Sequence, residues 1–595
     1  MSFVDDAREA TDEALARLVC TGKLGSSHAW ARLIPDATVE AAIAIADSAG
    51  ICERLDEWRQ EDRQRVGRGP GGRPGSLTDR AVLVLLLFLA LEDSPLLVSR
   101  MAVTISRRLS PKSMGLLGIN SAEIKEKGWY DRAWRAIHSL LIVIDPFPAP
   151  HNRLLTKAEW ADILAARDPE DAARKQVRID WVANRFVEAT LRMVPREIRR
   201  RWKGNVCIDA TPVPAFGKRG TTKKSDWVGI EPDAAWYVRE GDHRDRDDSP
   251  DAGGKKGKAT EKHIWGWEAT FVVMSTNDPS GPDQFPYLVA AMGFGKPGHD
   301  VAGHGTRAFS SIVERGHPVG YAIADRAYFP NSVPENLQLP VRALGYDLIF
   351  DYREDQLGVT GSHAGAIQVE GAWYCPQMPQ LLIDATLDHR VKKSIDEVTW
   401  HRRIEERSAY LLRQKEKPDD EGYVPMRCPA VGPSATVVCP LKKAVGSTAG
   451  RTRIPVTPSD PDRICTNTSS VSFPPSAGAK FAQALHYGSP TWRQMYSTAR
   501  NTIEGMNGYL KDASREALDQ PGRRRVRGYA AQYLFAAVLV VSANIRKIRA
   551  FLEKAAADAA GVVSIARKRR PRRRDRLSDF RPDTGTSATG DPPAA

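Results

Sequence analysis

The sequence predicts an α/β fold: a sheet covered by helices, interrupted by a β-rich insertion, with a helical N-terminal region before it and a basic disordered C-terminal tail after it. Three observations carry this. Up to about residue 203 the apolar residues recur at helical spacing, and at Gly204 the pattern changes to short β-prone runs bounded by turn residues. Those runs come in the order strand, strand, strand, helix, strand, which suits a sheet with helices packed on it. From about 356 to 480 the chain is rich in Pro, Gly, Ser and Thr with short strand-like pieces, and then helical periodicity returns.

A chain of 595 residues exceeds one core, so several domains are expected. The composition shifts place them at 1–75, 76–203, 204–355, 356–480, 481–556 and 557–595. The residues are 42% hydrophobic and 27% charged, as in soluble globular proteins. Lys and Arg number 86 against 73 Asp and Glu, and this basic balance favours a polyanionic partner. Seven cysteines are an odd and sparse set that fits a reducing cytoplasm rather than a disulfide framework. The first residues are acidic and amphipathic, unlike a signal peptide. The apolar runs from Ala81 and from Tyr533 are too short to span a bilayer and read as buried helices, so no membrane partner is expected.

In chain order, residues 1–65 alternate helical patterns with short breaks. Val66–Arg80 follows as a basic Gly/Pro hinge, and Ser76 with Asp79 resembles a capping box for the next helix. Residues 76–203 are helical with scattered basic residues, including Arg107–Arg108 and Arg199–Arg201. A helical DNA-binding module and a plain bundle with a solvated basic face both fit them. Asn205–Val213 is the first strand. Gly241–Lys262 is a polar, low-complexity loop expected to be mobile. Strands follow from His263 and Phe285, then a helix at FSSIVERG, a buried strand with its turn at Val319–Phe329, and a strand from Tyr346. The insertion holds Cys375, Cys428, Cys439 and Cys465. Four thiolates suit zinc, but there is no CxxC pair, and buried free thiols are the favoured reading. A helix around Glu504 and a closing helix from Gly528 to about Ala556 complete the core. The tail segment Ala566–Arg576 has eight basic residues against one acidic, the composition of a nucleic-acid patch, with a solubilising tail as the other reading.

The chemistry gathers on the helix ending at Asp512. Ser489 is a good N-cap and Pro490 suits the first helical position. Tyr496, Arg500, Glu504, Asn507 and Lys511 then fall three or four residues apart and share one face. Taken alone, that face is a solvated, salt-bridged surface. Gly505 and Gly508 count against so plain a reading, since each costs about 1 kcal/mol relative to Ala in a helix and suggests that something bulky approaches there. Arg500 and Lys511 suit phosphates, and Glu504 suits a metal ion. Two partner carboxylates, Asp209 and Asp325, each end an apolar strand, where ligands gather in open α/β sheets. Singly, each is better explained as a cap or turn residue. Together, three convergent carboxylates suit two Mg²⁺ or Mn²⁺ ions about 3.5–4 Å apart acting on a phosphodiester. Trp492, Trp265 and Trp267 are candidates for stacking on a flipped base, though packing suits the last two better.

IDAT around Asp209, IADRAYF around Asp325 and the Tyr496–Arg500–Glu504–Lys511 series resemble the DDE transposases of bacterial insertion sequences, most closely the cut-and-paste group with a Tyr-Arg-Glu-Lys signature and a β-rich insertion before the Glu. GKPGHD, Gly295 to Asp300, is similar to a short segment those proteins often carry before the second Asp, although His299 and Asp300 suit a turn. The resemblance spans roughly residues 66–555. It implies an RNase H-like core with Asp209, Asp325 and Glu504 as catalytic metal ligands for two Mg²⁺ ions, Mn²⁺ substituting. It implies Tyr496, Arg500 and Lys511 on phosphates near the cleaved end. Three residues rather than the usual two separate Tyr496 from Arg500, which keeps the phenol on the same face. Asn507, on that face, and Arg523, Arg524 and Arg525, just beyond it, are expected to extend the DNA track. The implied partners are double-stranded DNA, as terminal inverted repeats and target, and a second copy of the chain on that DNA, in the bacterial cytoplasm at the nucleoid.

Overall fold

The computed structural model describes residues 33–67, 75–119, 126–150, 153–217, 226–239, 262–326, 328–455 and 459–561. The expectations for residues 1–32, for residues 68–74 of the hinge, for nearly all of the Gly241–Lys262 loop and for the basic tail lie outside those residues. The chain divides into two compact units, Met1–Arg549 and Ala550–Ala595. The expected boundaries at 75, 203, 355 and 480 therefore all fall inside one unit. The described part of the second unit is the end of the helix Tyr529–Ala559 and its turn.

The organising element is a six-stranded mixed sheet. Its strands are β1 (Val206–Pro214), β2 (Ala235–Arg239), β3 (Lys262–Met274), β4 (Val289–Gly295), β5 (Tyr321–Ala324) and β6 (Asp347–Phe350). The order is β2-β3-β1-β5-β6, with β4 also paired to β3. β1 runs antiparallel to β3, and β3 antiparallel to β4; β5 is parallel to β1, and β6 to β5. The return from β4 to β5 is made by the helix Val301–Glu314, as a parallel connection requires.

β1, β4, β5 and β6 are buried through most of their length because helices lie on the sheet. The Val301–Glu314 helix meets the side chain of Ile208 through Gly305, where an added Cβ would stand 3.4 Å from Ile208 Cδ1. Side chains alternate along a strand, so Asp209 faces the other side. That side carries the helix Pro490–Leu510, which packs on β1, β5, β3 and β6. The outer edge of β4 is closed by two asparagines acting as strand mimics. Asn184 accepts from Met292 N and donates to its carbonyl, both at 2.9 Å, and Asn544 does the same for Val289 at 3.0 and 2.9 Å. An unpaired edge is thereby satisfied without another strand.

Residues 79–203 do not form a separate body. The helix Asp79–Leu91 is buried on all sides from Ala81 on, as its unbroken apolar run requires, and the helix Pro169–Arg192 packs on β4. The start of the first of these differs from expectation. Thr78, not Ser76, is the N-cap and accepts from Ala81 N at 3.2 Å, while Asp79 is drawn to Arg59. Of the adjacent arginines, Arg108 is buried against Glu92 and Arg107 pairs with Glu126 at the surface.

The insertion is mixed rather than β-rich. Its strands form three small sheets, and the helices Gln380–Ile383, Ala385–Arg390, Glu397–Glu406 and Arg463–Thr466 lie between them. Among the described residues no helix is long and apolar enough to cross a membrane.

Candidate catalytic site at the strand ends

β1 and β5 are parallel with Ile208 opposite Ala324, so Asp209 and Asp325 are the next residues on neighbouring strands. Asp325 directly follows β5. Asp209 ends only the apolar half of β1, which continues to Pro214. Asp325 accepts from the Tyr328 backbone N–H at 3.0 Å, which fixes the turn after the strand.

The helix Pro490–Leu510 supplies the rest. Ser489 caps it, accepting from Trp492 N at 3.2 Å, and Pro490 occupies the first turn as its sequence requires. Its apolar residues Met495, Ala499, Ile503, Met506 and Leu510 are buried, which turns the polar series toward the strand ends. Asn507 donates to Asp209 Oδ2 at 3.2 Å. Arg500 Nη1 stands 3.8 Å from that same oxygen, and its Nη2 donates to Glu504 Oε1 at 3.0 Å. One guanidinium thus lies between a carboxylate that is 21% exposed and another that is 61% exposed. Lys511 caps the C-terminus and contributes positive potential at Asp209.

The charges follow from this geometry. Burial pushes the Asp209 carboxyl up to about 6; Arg500 opposes the shift and the neighbouring Asp325 adds to it. Burial pulls the Arg500 guanidinium down, but Asp209, Asp325, Tyr496 and Glu504 outweigh it and hold the charge in place. Tyr496 stacks on Trp492, ring centres 4.8 Å apart and 8° from parallel. Burial, then Asp351, raises its phenol far above the ordinary range.

Two buried polar atoms at the site, Arg500 Nη1 and Asn507 Oδ1, have no hydrogen-bond partner. A donor and an acceptor left unpaired beside carboxylates are what a bound polar ligand would satisfy. Gly505 and Gly508 face open space, with nothing within 4 Å of an added Cβ, so the chain itself does not crowd the backbone there.

Asp209, Asp325 and Glu504 offer only carboxylate oxygens, the donor chemistry of hard divalent cations. Asp209 and Glu504 already share one cationic group, the Arg500 guanidinium. The type of donor, rather than the present spacing, is what suits a hard divalent cation such as Mg²⁺. Among the described residues, however, no group of three His, Cys, Asp or Glu side chains is already gathered to hold an ion.

Not every expected residue joins this site. Arg524 is 0% exposed, with Nε on Gln532 and Nη2 on the Pro214 carbonyl. Arg523 is engaged with the Asp93 and Arg515 carbonyls. These two are internal ties, a correction to the expected DNA track, because the segment is drawn under the helical region by a bond from Leu96 N to the Arg523 carbonyl at 2.8 Å. Arg525 remains exposed and lies over Phe216 at 5.2 Å. Trp267 is buried in packing with Phe294 and Tyr529, as favoured from sequence. Asp300 is the left-handed N-cap of the Val301–Glu314 helix, a turn role.

One residue escaped sequence reasoning. Asp351 follows β6, whose Phe350 is opposite Ala324, so it extends the row of strand-end carboxylates. Its signal was present, since IFD repeats the pattern of CID and IAD. Asp351 is tied to Arg390 at 2.7 Å and to the Tyr487 hydroxyl, and with Trp492 and Tyr496 it lines a cavity of about 450 Å³. No family model matches the chain, and no curated protein or solved structure matches it.

Proposed function

We propose that this chain is a DNA transposase of the DDE kind, which hydrolyses phosphodiesters at the ends of an insertion sequence and joins the freed 3′ end to target DNA. The observation that carries the reading is the adjacency of Asp209 and Asp325, each the residue after the last parallel pair Ile208–Ala324, faced by Arg500, Glu504 and Asn507 from one helix. The strand order β4-β3-β1-β5-β6, antiparallel then parallel, supports an RNase H-like core.

In this reading Asp209, Asp325 and Glu504 would hold Mg²⁺, with Mn²⁺ able to replace it. When bound, the metal supplies a nucleophile at neutral pH and stabilises the leaving oxygen. The chain's own groups do the positioning. Arg500 turns its Nη1, which makes no hydrogen bond and stands 3.8 Å from Asp209, to a phosphate oxygen, and Lys511 adds a second positive contact at the end of the helix. Asn507 orients the Asp209 carboxylate and, in doing so, stabilises its charged form. The open backbone at Gly505 and Gly508 admits the strand. The working species is a dimer on DNA that holds both terminal repeats, in the bacterial cytoplasm at the nucleoid.

The experiment uses a DNA fragment carrying both ends of the element that encodes the chain, with labelled target DNA and Mg²⁺. Release of the element followed by joined product supports transposition. Cleavage without joining would reduce the reading to a nuclease. Binding without cleavage under any divalent metal would leave a DNA-binding protein that has lost its chemistry.

A further inference from the structure

Four of the seven cysteines fall between residues 375 and 465, and all four are buried in one apolar cluster. They arrive on separate segments: Cys375 after the strand Ala372–Tyr374, Cys428 after Val424–Arg427, Cys439 after Val437–Val438, and Cys465 within the helix Arg463–Thr466. None is in a disulfide. Cys375 lies within electrostatic reach of the other three, and Cys465 within reach of Cys428 and Cys439.

Three of the four share one local construction. Cys375, Cys428 and Cys439 each precede proline and open a turn in which the fourth residue's N–H returns to the cysteine carbonyl. The donors are Met378 at 3.0 Å, Val431 at 3.0 Å and Lys442 at 3.1 Å. The turns are also tied together. Thr436 N donates to the Pro429 carbonyl at 2.9 Å, and Lys442 Nζ donates to the Asn467 carbonyl at 2.5 Å, beside Cys465. The strands around them are two to five residues long, so the segment has little regular structure of its own to hold it.

We propose that Cys375, Cys428, Cys439 and Cys465 bind one zinc ion that closes the core of the insertion. Four sulfur ligands select a soft or borderline metal in a closed tetrahedral site, a structural role. Binding forms four Zn–S bonds, releases four thiol protons and transfers no electrons. Among the described residues no three such side chains already stand round an ion position, so the ion would draw the three turns and the Arg463–Thr466 helix into a single ligand set. This inference is independent of the catalytic reading.

The test is the metal content of the full chain, purified after growth with zinc and dialysed without chelator. One zinc per chain is expected, lost from Cys428→Ser and Cys439→Ser and retained in Cys52→Ser and Cys207→Ser. If the first two variants do not fold, cobalt exchanged into the wild-type chain must give the intense thiolate charge-transfer absorption of a tetrahedral sulfur site. Zinc-free wild-type protein with seven titratable thiols overturns the proposal, as do disulfides among the four cysteines or iron in place of zinc.

Discussion

Under the proposed function Asn507 is a positioning residue rather than one that reacts. It donates to Asp209 Oδ2 while its own carbonyl oxygen is left without a partner. Asn507→Ala should cut the cleavage rate about 10–100-fold, the usual cost of removing a group that orients a metal ligand. DNA affinity, read by a binding titration, should stay unchanged. In the same proposal Arg500 offers a phosphate its Nη1, which makes no hydrogen bond in the free chain. Arg500→Ala should weaken binding to any DNA sequence and reduce the slope of log affinity against log salt by about one. Arg524→Ala, at a buried arginine, should instead lower the unfolding temperature and leave that slope alone. The difference between Arg500 and Arg524 was invisible in the sequence. Both are basic residues close to the same helix, and only tertiary packing decides which one reaches solvent.

The helix Pro490–Leu510 was legible from its cap, its proline and its spacing, all local signals that the fold respects. Its two glycines offer a test. Neither Gly505 nor Gly508 adopts a positive φ, and neither faces a neighbour, so alanine fits both positions in the free protein. Each substitution should raise stability by about 1 kcal/mol, from helix propensity alone. Both should lower cleavage if the glycines exist to let a DNA strand approach, and activity that rises or stays level would remove that role. β2 was missed because Ala235–Arg239 is a five-residue edge strand between polar stretches, too short for alternation to stand out. The start of the Asp79–Leu91 helix was misplaced because Ser76 and Thr78 are both competent caps; Thr78 takes the role, and Asp79 pairs with Arg59.

At the scale of the whole molecule, contacts distant in sequence set both stability and site geometry. Glu188 accepts from Arg315 at 2.8 Å and pairs with His317 at 2.6 Å, joining the helix Pro169–Arg192 to the segment just before β5. Burial raises its carboxyl, but the His317 hydrogen bond and the charges of His317, Arg315 and Arg192 win and hold it at about 2. Its folded value therefore lies below the ordinary 4.5. The stabilisation is complete above pH 4.5 and is lost as the pH falls toward 2. Glu188→Gln should cost about 3–5 kcal/mol at neutral pH, the scale of a broken buried ion pair. Thermal unfolding of the variant should also lose part of the wild-type decline in stability below pH 4.5. None of this network could be read from the sequence, because its members lie 127 and 129 positions apart. The strand-end aspartates were legible, since an acid closing an apolar run needs no partner to be noticed. Their adjacency needed the parallel register of β1 and β5.

In the proposed function the Asp209, Asp325 and Glu504 carboxylates carry DNA cleavage. The most direct measurement is single-turnover cleavage of the element's own end DNA by wild-type chain and by Asp209→Asn, Asp325→Asn and Glu504→Gln, with DNA binding followed in parallel. The expected result is Mg²⁺-dependent cleavage by the wild type and a loss of at least about 10³-fold in each variant, equal to about 4 kcal/mol of barrier, with binding intact. Cleavage that persists in any one of the three at near the wild-type rate contradicts it.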